Sequence, residues 1–108
     1  MNIITLIGYV GQDPESRVSQ NGKLVCKFSL GVKRKFNKDI TDWFQIVCFD
    51  KTAEVVSKYV SKGDRLAVSG ELQFTQSEKD GVRVTYHSVV TNDVEFLTNK
   101  DQGQRSAG

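Results

Sequence analysis

The stretch of sequence that decides the fold is DWFQIVCF, at residues 42–49. Its aromatic and β-branched residues favour a β-strand, in which successive side chains point to opposite faces. Phe44, Ile46 and Cys48 then form an ordinary apolar core face. The opposite face carries Trp43, Gln45, Val47 and Phe49. Two large rings, Trp43 and Phe49, therefore lie on the face opposite the core residues.

The runs around this strand predict a mainly β domain. Alternating or β-branched residues predict further strands at 3–10, 24–32, 65–75 and 82–90, with a last short run at 94–97. The run at 3–10 is apolar on both faces, so we expect both to be covered, by the domain's own barrel or by another subunit.

One helix is predicted, over residues 52–62. Asp50 or Thr52 is expected to cap its start, and Gly63 suits its end. The spacing places four apolar residues on its buried face, namely Ala53, Val56, Tyr59 and Val60. Three strands, a helix and two more strands make up the order of the OB-fold, a five-stranded Greek-key barrel with the helix between strands three and four. Such barrels bind oligonucleotides, sugars or proteins, so the fold does not name the ligand.

Length and charge limit the possibilities further. The chain has 108 residues and a net charge of +2, so any affinity for a polyanion depends on local clusters of cations. We expect one OB-fold domain at residues 1–98 and a flexible polar tail at 99–108.

Chemistry-bearing residues are few. Cys26 and Cys48 are expected to be buried free thiols rather than a disulfide or a metal site, since no Cys-x-x-Cys spacing accompanies them. His87 has no second histidine at ligand spacing, so no metal is expected. No catalytic constellation or phosphate loop is evident, which predicts a non-enzyme without cofactors. Free thiols, no charged-then-apolar leader and no long apolar run favour a cytoplasmic location.

A basic run precedes the deciding strand, in the stem of a hairpin whose loop covers residues 36–41. Aromatic rings beside cations are what single-stranded nucleic acid binds, because rings stack on bases and cations neutralise phosphates. The alternatives are a solvated charged surface for the cations and a barrel-lining role for the rings. The basic run consists of Lys33, Arg34 and Lys35, followed by Phe36.

Several ordered segments resemble the bacterial-type single-stranded DNA-binding proteins. The segments are ITLIG at 4–8, GQDPESR at 11–17, WFQIVCF at 43–49, YVSKGD at 59–64 and VSGEL at 68–72. The resemblance covers roughly residues 1–97. It implies sequence-nonspecific binding and protection of single-stranded DNA in replication, recombination and repair, by a homotetramer. The alternative from another class is an OB-fold protein-interaction module of a primosome that binds DNA only weakly.

The resemblance also implies roles for individual residues. Trp43, Phe49 and Phe36 match aromatic positions that stack on bases. The cations that match the backbone path are Lys51, Lys62 and Arg17.

Two departures from the family pattern stand out. Ser77 occupies the place of a ring in the hairpin between strands four and five, and Phe74 has inward parity, so Arg65, Lys79 and Arg83 are left to supply charge there. Family members also end in a linker and an acidic tip that recruits replication and repair proteins. The chain ends at Gly108 without one, which is expected either of a shortened chain or of a tail-less paralogue.

Overall fold

Six strands and one short helix build the described part of the chain. A computed structural model describes residues 1–98, and the predicted tail at 99–108 lies outside the described residues. In chain order the elements are β1 (Ile4–Val10), β2 (Glu15–Val18), β3 (Leu24–Lys33), β4 (Thr41–Phe49), α1 (Asp50–Tyr59), β5 (Arg65–Lys79) and β6 (Val82–Phe96).

The strands close into a barrel. The sheet order is β1-β5-β6-β4-β3-β2, and β1 also pairs with β3 through Tyr9 and Val10. The β4–β6 contact is parallel, whereas the other pairings are antiparallel. Five strands close the barrel, and β2 lies beside β3 at the end of the sheet. The predicted mainly β OB-fold, with its helix between the third and fourth barrel strands, is confirmed.

Two features of the strands were not predicted. All four residues of β2 are exposed, so no apolar alternation marks this strand in the sequence. The short run at 94–97 is the end of β6 and not a separate element. Thr91 explains this continuity. Its side chain is buried, donates a hydrogen bond to Ser69 O and accepts one from the backbone N–H of Asp93. These bonds keep the polar stretch at 91–93 within the strand.

The helix differs from its predicted bounds and caps. It begins at Asp50 after an N-cap residue, Phe49, that makes no side-chain capping hydrogen bond. Thr52 Oγ1 instead donates to Asn92 O at 3.3 Å, so the predicted cap by Asp50 or Thr52 is wrong. Tyr59 is exposed and not on the buried face, because α1 ends there, and Gly63 lies in the following turn with φ of +92°.

The core fills the barrel and one face of α1. It consists of Val10, Cys26, Phe28, Leu30, Ile46, Cys48, Ala53, Val56, Val60, Leu66, Val68 and Val89. Cys26 and Cys48 pair across β3 and β4 as the predicted buried free thiols. Burial raises the pKa of the Cys48 thiol to about 12 and also raises that of Cys26. The thiols therefore belong to the interior, behind the outer face that carries the exposed rings.

Candidate nucleic-acid interface

Trp43 lies on the outer face of β4, against two glycines. It is the cross-strand partner of Gly31 on β3. A β-carbon built on Gly31 falls 2.8 Å from Trp43 Cζ3 and Cη2, and one built on Gly11 falls 2.5 Å from Cζ3. The six-membered ring of the indole therefore packs against backbone that only glycine leaves open. The side chain is nevertheless 57% exposed, so it presents a flat surface supported from below. We call Gly11 and Gly31 the glycine platform.

Phe49 ends the same strand, six residues beyond Trp43. At 3.2–3.4 Å per residue, the two positions lie about 20 Å apart along one face. Cross-strand pairing aligns Phe49 with Val25 on β3 and Val25 with Arg17 on β2, so the predicted cation Arg17 shares a row with this ring. Lys27 lies between the two aromatic positions, exposed and paired with Val47. No pattern in the sequence distinguishes Lys27 from other outward-pointing lysines.

An open groove of about 860 Å³ borders Phe49, between the start of α1 and strands β5 and β6. Lys51, one of the cations named from the sequence, lines it. Three carboxylates, from Asp50, Glu71 and Asp93, line it as well. Among the described lining residues the acids outnumber the lysine, so the groove does not favour phosphate groups.

The β3–β4 hairpin carries the basic run at its tip. Lys33 ends β3, paired with Thr41, and the loop is closed by the Arg34 backbone N–H donating to Ile40 O at 3.1 Å. Phe36 is 94% exposed, and Lys35 Nζ lies 5.7 Å from its ring centroid. The predicted neighbourhood of ring and cations is present at this tip.

Arg34 is held by an acidic partner that the sequence pattern did not reveal. Its Nε donates to Asp42 Oδ2 at 3.0 Å, and its Nη2 donates to Asp42 Oδ1 at 3.1 Å. This bidentate pair lowers the pKa of Asp42 and raises that of Arg34. The pair must open, or be shared, before Arg34 can bind a phosphate.

The remaining predicted cations are exposed at the edges of this face. The backbone N–H of Lys62 donates to Asp13 Oδ1 at 2.8 Å, beside the turn that follows Gly11. Arg65 begins β5 and pairs with Tyr9 on β1. The structure thus brings Arg65 and Lys62 toward Trp43, Arg17 and Lys51 toward Phe49, and the basic run toward Phe36.

The β5–β6 hairpin has no ring at Ser77, which pairs with Val84. Phe74 is on the same face of β5 as the core residues, as its parity predicts. It is nevertheless 67% exposed, because the hairpin extends past the barrel. Its ring lies 6.2 Å from that of His87, which lies 6.3 Å from Phe44. Phe74 is therefore on the opposite face from Trp43.

Within residues 1–98, no group of three or more His, Cys, Asp and Glu side chains is arranged to hold a metal ion. In the same part of the chain, the one helix is too short and polar to span a bilayer.

Comparison with known proteins gives consistent matches. The model of the single-strand binding protein family matches residues 1–97. The single-stranded DNA-binding protein of Fusobacterium nucleatum is 36% identical over 102 residues, which cover 89% of this chain and 66% of that protein. Single-stranded DNA-binding protein 1 of Nostoc sp. is also 36% identical, with 93% and 86% covered. A solved structure described as Plasmodium falciparum SSB in complex with ssDNA superposes with a TM-score of 0.79 and 30% identity, over 91% of this chain and 96% of that one.

Proposed function

The chain belongs to the single-strand binding protein family, and from this premise we propose that its outer barrel face binds single-stranded DNA without sequence preference and protects it during replication, recombination and repair. The observation that carries the proposal is Trp43, a large ring supported by the glycine platform and still more than half exposed. A stacking surface of this kind accepts any base, because every base has a flat face.

Binding uses two kinds of contact. Bases stack on Trp43, Phe49 and Phe36, and each stacked base contributes about 1–3 kcal/mol. Cations neutralise phosphates and release counterions. Those that surround the three rings are Lys33, Arg34, Lys35, Lys51, Lys62, Arg17 and Arg65. Duplex DNA is a poor ligand, because its bases already stack on one another. The function is binding alone, with no chemical step and no cofactor.

We further propose that the protein assembles through β1, as a homotetramer. Among residues 1–98, β1 pairs with β5 over Ile4–Tyr9 but with β3 only at Tyr9 and Val10, which leaves one edge of residues 4–8 unpaired. Ile3 and Ile7 are also exposed. An open edge beside exposed apolar side chains favours pairing with a second copy. Light scattering during size-exclusion chromatography checks this, and a mass of one chain, 12.1 kDa, would contradict it.

Domain organisation and partners follow the same proposal. Residues 1–98 form the binding domain. Replication and repair proteins are partners only of a chain that carries an acidic tip. The chain spans 66% of the length of the Fusobacterium relative. Binding to exposed chromosomal strands places the protein in the cytoplasm, at the nucleoid.

The test is a titration of intrinsic tryptophan fluorescence with an oligo-dT. Trp43 is the single tryptophan, so quenching reports on it alone. We expect quenching that saturates with oligo-dT and is absent with a duplex of the same length. Unchanged emission, together with no mobility shift of the oligonucleotide, would refute the proposal and favour the protein-interaction alternative.

A further inference from the structure

Tyr9 lies in the same cross-strand row as Trp43. Tyr9 on β1 pairs with Gly31 on β3, and Gly31 pairs with Trp43 on β4. On its other side, Tyr9 pairs with Arg65 on β5. Directly paired residues in an antiparallel sheet point to the same face. The outer face therefore carries an unbroken row of Arg65, Tyr9, Gly31 and Trp43 across four strands.

The two rings of this row are close, with no side chain between them. Adjacent strands lie 4.7–4.9 Å apart, so the Cα atoms of Tyr9 and Trp43, two strands apart, are separated by about 10 Å. The indole leans across Gly31 to contact Gly11, which lies two residues after Tyr9 on the same face of the chain. Two residues of an extended strand span about 7 Å. The distance from Tyr9 to Trp43 and the distance from Tyr9 to Gly11, where the indole makes contact, both exceed the 3.4 Å spacing of stacked bases in a duplex. Two bases that rest on these rings therefore belong to an extended single strand.

Tyr9 is not needed by the core. The inward positions of β1 are Ile4, Leu6, Gly8 and Val10, whereas Tyr9 points outward and is 50% exposed. Pairing with β3 occupies the backbone edge at Tyr9, so the open edge proposed for assembly lies before it. A large amphipathic ring beside an exposed arginine has the chemistry that a nucleotide requires, a stacking surface and a phosphate partner.

We propose that Tyr9 is a further stacking residue, which receives the base next to the one on Trp43, with Arg65 binding the phosphate on the side of that base away from Trp43. The inference rests on the proposed function, because it extends the path of the same single strand from β4 across Gly31 to β1 and β5. It also supplies a ring to a chain whose β5–β6 hairpin has Ser77 in place of one.

The test measures oligo-dT affinity by anisotropy of a labelled oligonucleotide, with Trp43 quenching recorded on the same samples. We expect Tyr9→Ala to weaken binding at least about fivefold, while Tyr9→Phe, which keeps the ring, stays within about twofold of the wild type. Tyr59→Ala removes a similarly exposed tyrosine from α1 and is expected to have no effect.

A cross-linking experiment keeps the inference testable if Tyr9→Ala changes folding or assembly. The wild-type protein is irradiated with an oligonucleotide that contains bromodeoxyuridine, and the modified peptides are identified by mass spectrometry. Cross-links at Tyr9 and Trp43 are expected. Two results would overturn the role of Tyr9 while leaving the proposed function intact. One is that Tyr9→Ala binds oligo-dT as tightly as Tyr59→Ala does, and the other is that cross-links form at Trp43 but not at Tyr9. Absence of quenching and binding in the wild type would overturn both.

Discussion

Trp43 and Phe36 both belong to the β3–β4 hairpin, Trp43 in strand β4 and Phe36 in the loop, and they differ in how they are held. Trp43 packs against Gly11 and Gly31, and its outer side is free. Phe36 is 94% exposed, and its only described ring contact is the ammonium of Lys35, at 5.7 Å from the ring centroid. One ring is fixed before a base arrives, whereas the other must be ordered during binding.

This difference has an energetic consequence. Immobilising a side chain at an interface costs about 0.5–1.5 kcal/mol, which is a large part of the 1–3 kcal/mol that one stacked base provides. The preorganised Trp43 avoids most of this cost. Two aromatic residues of similar chemistry are therefore expected to contribute unequally, with Trp43 as the anchor and Phe36 as an adaptable contact.

The largest effect is expected from Trp43→Ala. Loss of one stacked base weakens oligo-dT binding by about 1–3 kcal/mol, or roughly 5- to 150-fold. Anisotropy of a labelled oligonucleotide measures the loss, and circular dichroism checks that the fold is retained, because the side chain lies outside the core. Unchanged affinity in a folded variant would show that Trp43 does not anchor the DNA.

Gly31→Ala and Gly11→Ala test the support rather than the ring. Either β-carbon falls within 3.0 Å of the indole, so the ring must lift or rotate away. We expect both variants to shift tryptophan emission and to weaken binding several-fold, but less than Trp43→Ala does. If emission and affinity stay at wild-type values in both, the platform does not position the ring.

Phe36→Ala is expected to cost less. After the ordering cost is subtracted, the stacked base is worth about 0.5–1.5 kcal/mol, or roughly 2- to 10-fold in affinity. The same anisotropy assay measures it, with Phe74→Ala as a matched control, because Phe74 is another exposed phenylalanine but on the opposite face of the sheet. A loss as large as that of Trp43→Ala would show that preorganisation does not distinguish the two rings.

Charge at the hairpin tip is tested through salt dependence. Neutralising Lys33 and Lys35 to Gln is expected to flatten the slope of log K against log salt by about 1.4, at 0.7 per phosphate contact. Adding Arg34→Gln flattens the slope by a further ~0.7 only if Arg34 contacts a phosphate, either by leaving Asp42 or while shared with it. A slope unchanged by the double substitution would place both lysines away from the DNA.

The fold and one face of the site were predictable for a physical reason. The period of two in residues 42–49 separates Trp43 from Phe44 and Ile46, and the structure confirms that Ile46 is buried while Trp43 is not. Such alternation is a local property of the chain. The helix start was less predictable, because Phe49 takes the N-cap position without a capping side chain.

The support of Trp43 could not be predicted locally. Gly11, Gly31 and Trp43 come from three regions of the chain and meet only through the register of β1, β3 and β4. The pair of Arg34 and Asp42 depends in the same way on how the hairpin closes. Residue type and alternation therefore indicate which side chains face outward, while strand register decides which of them act together.

Asp42→Asn has the smallest expected effect and tests how the tip is tied to the barrel. Arg34 lowers the pKa of Asp42 below its ordinary value of 3.8, so the ion pair is present above that pH and is lost only as pH falls through the lowered pKa. Acidification to pH 5 therefore leaves Arg34 engaged, and the substitution is needed to release it.

We expect a modest gain in oligo-dT affinity and a salt slope steeper by up to about 0.7, because a free cation replaces a neutral pair. An unchanged slope would mean either that Arg34 already binds a phosphate in the wild type or that it does not reach the DNA. Adding Arg34→Gln to Asp42→Asn separates these cases, since only a DNA-bound arginine reduces the slope when removed.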